Sequence, residues 1–131
     1  MQFLSIFNVM LLYEVEGQEM ITNNLLLKLK KRNIENIAET REVLLSMQEK
    51  IEFLRDLKVE VDMRHGESSY DIMLIAQFAS MGDYDAYLAH PVHVEVAKYI
   101  EGVLESAAAV CYESGQEHRA EIRPPGSIAD F

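Results

Sequence analysis

The chain of 131 residues contains one cysteine, no tryptophan, three prolines and six glycines. A single thiol, Cys111, cannot close an internal disulfide or hold a structural metal alone, so nothing in the sequence calls for an oxidising compartment. Basic residues are scarce, 12 Lys plus Arg against 22 Asp plus Glu, for a formal charge of −10. The densest basic run, Lys28, Lys30, Lys31 and Arg32, is too short to track a phosphate backbone, which argues against a nucleic-acid partner. The longest mostly apolar stretch, Met1 to Tyr13, is too short to span a bilayer as a helix, and no membrane partner is expected. There is no Gly-rich phosphate loop, nucleophile elbow or paired-Cys motif, so no cofactor is expected either. What remains is a chain 49% hydrophobic and 26% charged, enough apolar material for one packed domain, with the cytoplasm as its expected location.

Residues 1–19 read as an N-terminal extension. No Lys or Arg precedes the apolar run and no small-residue cleavage site follows it, which disfavours a secretory signal. The extension is expected to dock as a strand or short helix, or to reflect a start assigned too early, with Met20 as the natural beginning.

From Met20 the elements follow in order. Leu25, Leu27 and Leu29 alternate with Leu26, Lys28 and Lys30, predicting a first strand over 21–30. Asn33 is placed to cap a helix that the apolar steps Ile34, Ile37, Ala38, Leu44, Leu45, Met47 and Ile51 extend to about Ile51. Leu57, Val59, Val61 and Met63 alternate with charged residues, the pattern of a strand with one wet face. A hairpin connection at 64–69 leads to a third strand, 70–78, apolar on both faces: Ile72, Leu74 and Phe78 on one, Met73 and Ile75 on the other. Ser80 and Asp83 form a capping-box pattern before a short helix, Met81 to Ala89, and Pro91 begins a second helical segment striped by Val92, Val96, Tyr99, Ile100 and Val103. Ala107 to Tyr112 is a last apolar strand, and residues 115–131 read as a C-terminal tail.

The order defines an α+β, ferredoxin-like βαββαβ domain over 20–114, with both crossovers placing helices on one face of a four-stranded antiparallel sheet. The other face carries Leu26, Met73, Ile75 and Ala108 or Val110, more apolar surface than a soluble monomer ordinarily exposes. Two chains are therefore expected to bury these faces as a homodimer, the alternative being cover by the N-terminal segment.

Three segments carry a family resemblance: Leu25-Leu-Leu-Lys-Leu-Lys30, Tyr70-Asp-Ile-Met-Leu-Ile-Ala-Gln-Phe78 and Tyr87-Leu-Ala-His-Pro-Val-His93. Together they resemble the stress-responsive A/B barrel domain proteins, over roughly Met20 to Glu113, and the resemblance implies a dimeric α+β barrel. A plant subset of that family resembles cofactor-free polyketide cyclases, in which a Tyr and the second His of the junction sit in a cleft between sheet and helices. The matching positions are Tyr87 and His93, the candidate catalytic pair. The same cyclases place one His early in strand one and another on strand three. Here the corresponding residues are Asn23 and Ile72, which together with His90 are candidate ligand-binding positions, and the two missing histidines weaken a transfer of cyclase activity.

The chemistry of the pair is reasonable: an imidazole near neutral pH can take a proton beside a carbonyl, and a phenol can donate to the developing oxyanion. Whether the rings converge depends on the chain turn at His90-Pro91. His93 lies in a first helical turn, where a protonated ring is disfavoured by the helix dipole, consistent with a neutral ring facing a cleft. His90 also has a purely capping reading. The His90, His93 and Glu95 spacing lacks a convincing third ligand, and no metal site is expected.

The leading expectation is a small homodimer that holds an apolar or aromatic molecule in the cleft between sheet and helices. The alternatives are a cyclase-like enzyme, with His93 as general base and Tyr87 as proton donor, or a cofactor-free quinol monooxygenase.

Overall fold

The computed structural model describes residues 20–114. The expectations for the N-terminal extension and the C-terminal tail fall outside the described residues. The elements are β1 (Met20–Leu29), α1 (Ile34–Leu45), β2 (Asp56–Val61), β3 (Ile72–Phe78), α2 (Met81–Ala89), α3 (Pro91–Val103) and β4 (Leu104–Ser114). They form one antiparallel four-stranded sheet in the order β2-β3-β1-β4, the ferredoxin-like arrangement. No helix among the described residues is long and apolar enough to cross a membrane.

Alternation decides which side chains enter the core. On β1, Ile21, Asn23, Leu25, Leu27 and Leu29 all point to the helical face and are buried. β3 contributes Ile72, Leu74, Ala76 and Phe78 to the same face, and β2 adds Leu57 and Val59. The helices close over them with Ile37 and Leu44 of α1, Tyr84 and Tyr87 of α2 and Val96 of α3. Each large side chain buried this way contributes roughly 1.5–3 kcal/mol, so the sheet face and its helical cover supply most of the drive to fold.

The helix starts are set by side chains that replace the missing backbone acceptors. Asn33 Oδ1 accepts from the Asn36 amide at 2.8 Å, and Ser80 Oγ accepts from the Asp83 amide at 3.1 Å. Helix α1 ends at Leu45, six residues before the expected limit. Ser46 Oγ donates to the Val43 carbonyl, tight turns follow, and Glu49 takes a positive φ of 70°. Met47 and Ile51 are buried nonetheless, because the turns fold them back onto the core. Within α1 the inward face is Ile37, Thr40 and Leu44, while Ile34 and Ala38 face solvent. Strand β2 stops at Val61, and Met63 is 90% exposed, so the alternation of that segment outruns the strand. β4 extends further at both ends than its apolar centre, because its pairing with β1 is carried by backbone groups.

The other sheet face carries Leu26, Met73, Ile75, Ala108, Val110 and Tyr112, with Leu26 paired across to Met73 and Ala108, and Asn24 to Ile75 and Val110. Val110 is 61% exposed and Tyr112 44%. None of the helices among the described residues covers this face, which carries an apolar row across three strands.

The end of the sheet is fastened by Asp71, which is fully buried. Its Oδ2 accepts from the Leu29 amide at 2.8 Å and its Oδ1 from Arg32 Nε at 2.9 Å, while Arg32 also donates to the Gly66 and Ser69 carbonyls. One carboxylate thus ties the exit of β1 to the β2–β3 connection. Asp71→Ala would leave the guanidinium without its counter-charge and the Leu29 amide without an acceptor, a loss of about 3 kcal/mol or more. Urea unfolding at fixed protein concentration is expected to show that loss, and a change under about 1 kcal/mol would contradict the role given to this pair.

Candidate functional site

The chain break between α2 and α3 is what brings the junction side chains together. Pro91 occupies the first turn of α3, and His90 is at once the end of α2 and the cap of α3, with extended backbone angles. Its Nδ1 accepts from the Val92 amide at 3.1 Å, so the capping reading of His90 describes its contact here, and its Nε2 lies 3.9 Å from Glu52. The turn it makes places the rings of Tyr87 and His93 with centroids 4.5 Å apart and tilted by 54°. The convergence that the sequence leaves open is present.

Tyr87 is 4% exposed, its ring against Phe78 at 4.8 Å and near Tyr84 at 6.2 Å. Burial, reinforced by Tyr84, pushes its pKa far above the ordinary phenol value, so the hydroxyl keeps its proton. That proton is directed at Met47 Sδ, 3.8 Å away. A thioether is a weak acceptor, and a carbonyl or hydroxyl oxygen arriving nearby would displace it readily.

His93 Nδ1 lies 3.1 Å from the Leu88 carbonyl. A carbonyl oxygen can only accept, so Nδ1 carries the hydrogen and, in the neutral ring, Nε2 holds the free lone pair. Burial lowers the pKa of His93 from 6.5; the bond to Leu88 works in the opposite direction and the neighbouring His90 adds to the lowering. The net effect is a ring that is neutral at pH 7 with a fixed tautomer, which is the state a general base requires.

These two side chains line a cleft of about 380 Å³ between the helical layer and the sheet, within the size range of small-molecule sites, roughly 300–1,000 Å³. Asn23, Leu25 and Leu74 form its sheet wall, Leu44 and Met47 one side, and Val96 and Ile100 of α3 the other. Asn23 is 5% exposed and its Oδ1 has no hydrogen-bond partner among the described residues. An unsatisfied buried acceptor costs about 1–3 kcal/mol, which makes Asn23 a marked exception in an otherwise apolar wall.

The structure therefore brings three of the sequence candidates, Asn23, Tyr87 and His93, to one cleft. Ile72 is a core residue, 2% exposed, that does not line it, and His90 stands behind the junction. Sequence reasoning missed Met47 and the Leu88 carbonyl, which orient the Tyr87 and His93 protons. Among the described residues no group of three His, Cys, Asp or Glu side chains is arranged to hold a metal ion.

A four-stranded ferredoxin-like sheet with this helix junction defines a class of small α+β domains, and the sequence places the chain within it. Residues 21–114 match the stress responsive A/B barrel domain, and the protein belongs to that family. Among solved structures it is similar to a dimeric protein of unknown function and ferredoxin-like fold from Bacteroides fragilis, at 29% identity and a TM-score of 0.64, covering 72% of this chain and 96% of that one. A family protein from Mesorhizobium loti matches at 20% identity and a TM-score of 0.57, over 72% and 96% of the two chains. A hydroxynitrile lyase from Passiflora edulis shares the fold at 13% identity and a TM-score of 0.67, over 79% and 99%. No curated protein matches the chain.

The histidine assignment has a solution signature. Imidazole ¹⁵N shifts of His93 are expected to show the Nδ1–H tautomer and a titration midpoint below 6.5. A folded-state pKa below the unfolded value means that the unfolded chain binds the proton more readily, so stability from this group is present above about pH 6.5 and is lost as pH falls through the folded value. The stability difference between wild type and His93→Gln should accordingly move against wild type between pH 7 and pH 5. A midpoint above 6.5 would overturn the assignment.

Proposed function

We propose that the protein is a homodimer that binds a small, largely apolar molecule in the cleft between sheet and helices. The observation that carries this reading is the combination of a largely apolar wall with three polar side chains: the Tyr87 hydroxyl as donor, His93 Nε2 as acceptor, and the buried amide of Asn23. Pure packing would have no use for an unpartnered amide oxygen at that depth.

The dimer rests on the other face of the sheet. A row of apolar side chains running from Met73 and Ile75 through Leu26 to Val110 and Tyr112 is the surface a second copy would bury. Similar structures from Bacteroides fragilis and from Thermobifida fusca are described as dimeric. Face-to-face packing of two such sheets encloses both apolar faces and leaves the two clefts on the outside layers.

A second reading is favoured by the His93–Tyr87 geometry: cofactor-independent acid–base catalysis on a carbonyl compound. In that reaction His93 Nε2 takes a proton from the carbon beside the carbonyl, the C–H electron pair becomes the enolate, and the Tyr87 hydroxyl stabilises the enolate oxygen by hydrogen bonding. Return of the proton from His93 completes the cycle without any oxidant. The fold is shared with a hydroxynitrile lyase, at an identity that carries the architecture only. Polyketide cyclisation would begin with the same proton abstraction. The quinol monooxygenase alternative has no separate support in the cleft.

Two measurements test these readings. Sedimentation equilibrium is expected to give about twice the chain mass of 15.0 kDa, and Val110→Glu should shift the mass towards one chain; a wild-type monomer at tens of micromolar would refute the dimer. Acetophenone in D₂O, followed by NMR, should raise the melting temperature and, if the second reading holds, exchange its methyl protons faster with wild type than with His93→Ala or Tyr87→Phe. Stabilisation without exchange would leave the binding reading alone standing, and neither effect from acetophenone or its hydroxylated analogues would refute both.

A further inference from the structure

The sheet holds Asn23 where it cannot turn away from the cleft. β1 is paired on both sides, to β3 and to β4, so its register fixes the face each side chain takes, and Asn23 falls on the helical face between Ile21 and Leu25. Its neighbours across the sheet are Ala76 and Cys111, neither of which brings a side-chain oxygen. The two ends of the amide meet different surroundings. Oδ1 is sealed in the wall without a partner, whereas Nδ2 is not sealed in the same way and its hydrogens make no hydrogen bond among the described residues. Asn23 nonetheless lines the cleft, so the part of its amide that a ligand can meet is the nitrogen. Tyr87 contributes one more hydrogen to the same cleft, held only by the Met47 thioether.

We propose that the cleft is a two-donor site, in which Asn23 Nδ2 and the Tyr87 hydroxyl each give a hydrogen to an oxygen of one ligand, and that Asn23 is the residue that rewards the second oxygen. This rests on the binding reading above, and it adds a ligand class: small compounds with two carbonyl oxygens, or a carbonyl and an ether oxygen, on an apolar frame. The acceptor that these three side chains offer a ligand is then His93 Nε2 alone.

A donor left open in an apolar wall gains little from an apolar ligand group and much from an oxygen, because its hydrogens are otherwise unpaired. Exchanging an acetyl group for isopropyl puts a methyl group in place of that oxygen at nearly constant shape, so such a pair isolates the second acceptor. The ortho, meta and para isomers of diacetylbenzene, each with its isopropylacetophenone counterpart, vary the spacing of the two oxygens and are titrated by NMR against the full chain at pH 7. At least one diketone is expected to bind about tenfold more tightly than its counterpart, and its binding to move the Asn23 Nδ2 proton signals downfield. Asn23→Leu is expected to fold, since it replaces an unpartnered amide by an apolar side chain of similar size, and to bring that diketone and its counterpart to within about threefold of one another.

Each contrary outcome points to a different failure. Ketones that bind with no preference for any diketone overturn the inference and leave the binding reading in place. A preference that survives in folded Asn23→Leu, or Nδ2 signals that stay in place when the preferred diketone binds, assigns the second oxygen to another group and overturns the role of Asn23. If the variant does not fold, those Nδ2 signals decide alone. Binding of none of the probes removes the ligand-binding reading and this inference with it.

Discussion

The packing of the Tyr87 ring between Phe78 and His93 is the contact on which the site depends. Phe78 ends the central strand β3 and is fully buried, so it fixes where α2 can lie on the sheet. Tyr87 stands on that platform, and the turn at His90-Pro91 brings His93 back against its other neighbour. The consequences are electrostatic as much as steric. The same burial that holds Tyr87 protonated keeps His93 neutral, so a donor and an acceptor are set side by side without any counter-ion. An apolar cleft can tolerate such a pair because neither member carries charge.

The sheet divides the molecule into two surfaces with different demands. Its helical face is closed by α1, α2 and α3 except for the cleft, where Asn23 interrupts the row of β1 side chains that otherwise fills the core. Its other face carries an apolar row that none of the described helices covers, the surface proposed for a second copy of the chain. Asp71 and Arg32 hold the two systems in register at one end, by tying the exit of β1 to the loop before β3. The family membership and the ferredoxin-like order agree with this division, and family membership by itself says little about chemistry.

Much of this was legible in the sequence because period-two alternation is a strong signal. Ile72 through Phe78 shows two apolar faces, and the structure orients those side chains as the alternation requires. The Tyr87 to His93 segment announced a helix break, since proline after a possible cap has few other meanings. The misses have physical reasons. Ala38 and Ile34 satisfied a helical spacing, yet Thr40 faces the core in their place, because a threonine hydroxyl can be buried beside Tyr99 at 3.5 Å. The end of α1 was hidden because Met47 and Ile51 are buried through turns and not through helical periodicity. Asp71 carried a usable signal, a lone acid at the start of a strand apolar on both faces, but its partner Arg32 is remote in sequence. Asn23 was reached only through family resemblance; nothing in its local pattern separates an unpartnered amide from a satisfied one.

The central claim is the proposal that the cleft lined by His93 binds a small, largely apolar molecule, and its most direct test is to locate one there. Intermolecular NOEs between 3-hydroxyacetophenone and methyl-labelled protein would do so. The account predicts contacts from the probe ring to the methyl groups of Leu25, Val96 and Ile100, which line the cleft on both sides. Contacts confined to Val110 on the opposite sheet face, or none at millimolar probe, would contradict it.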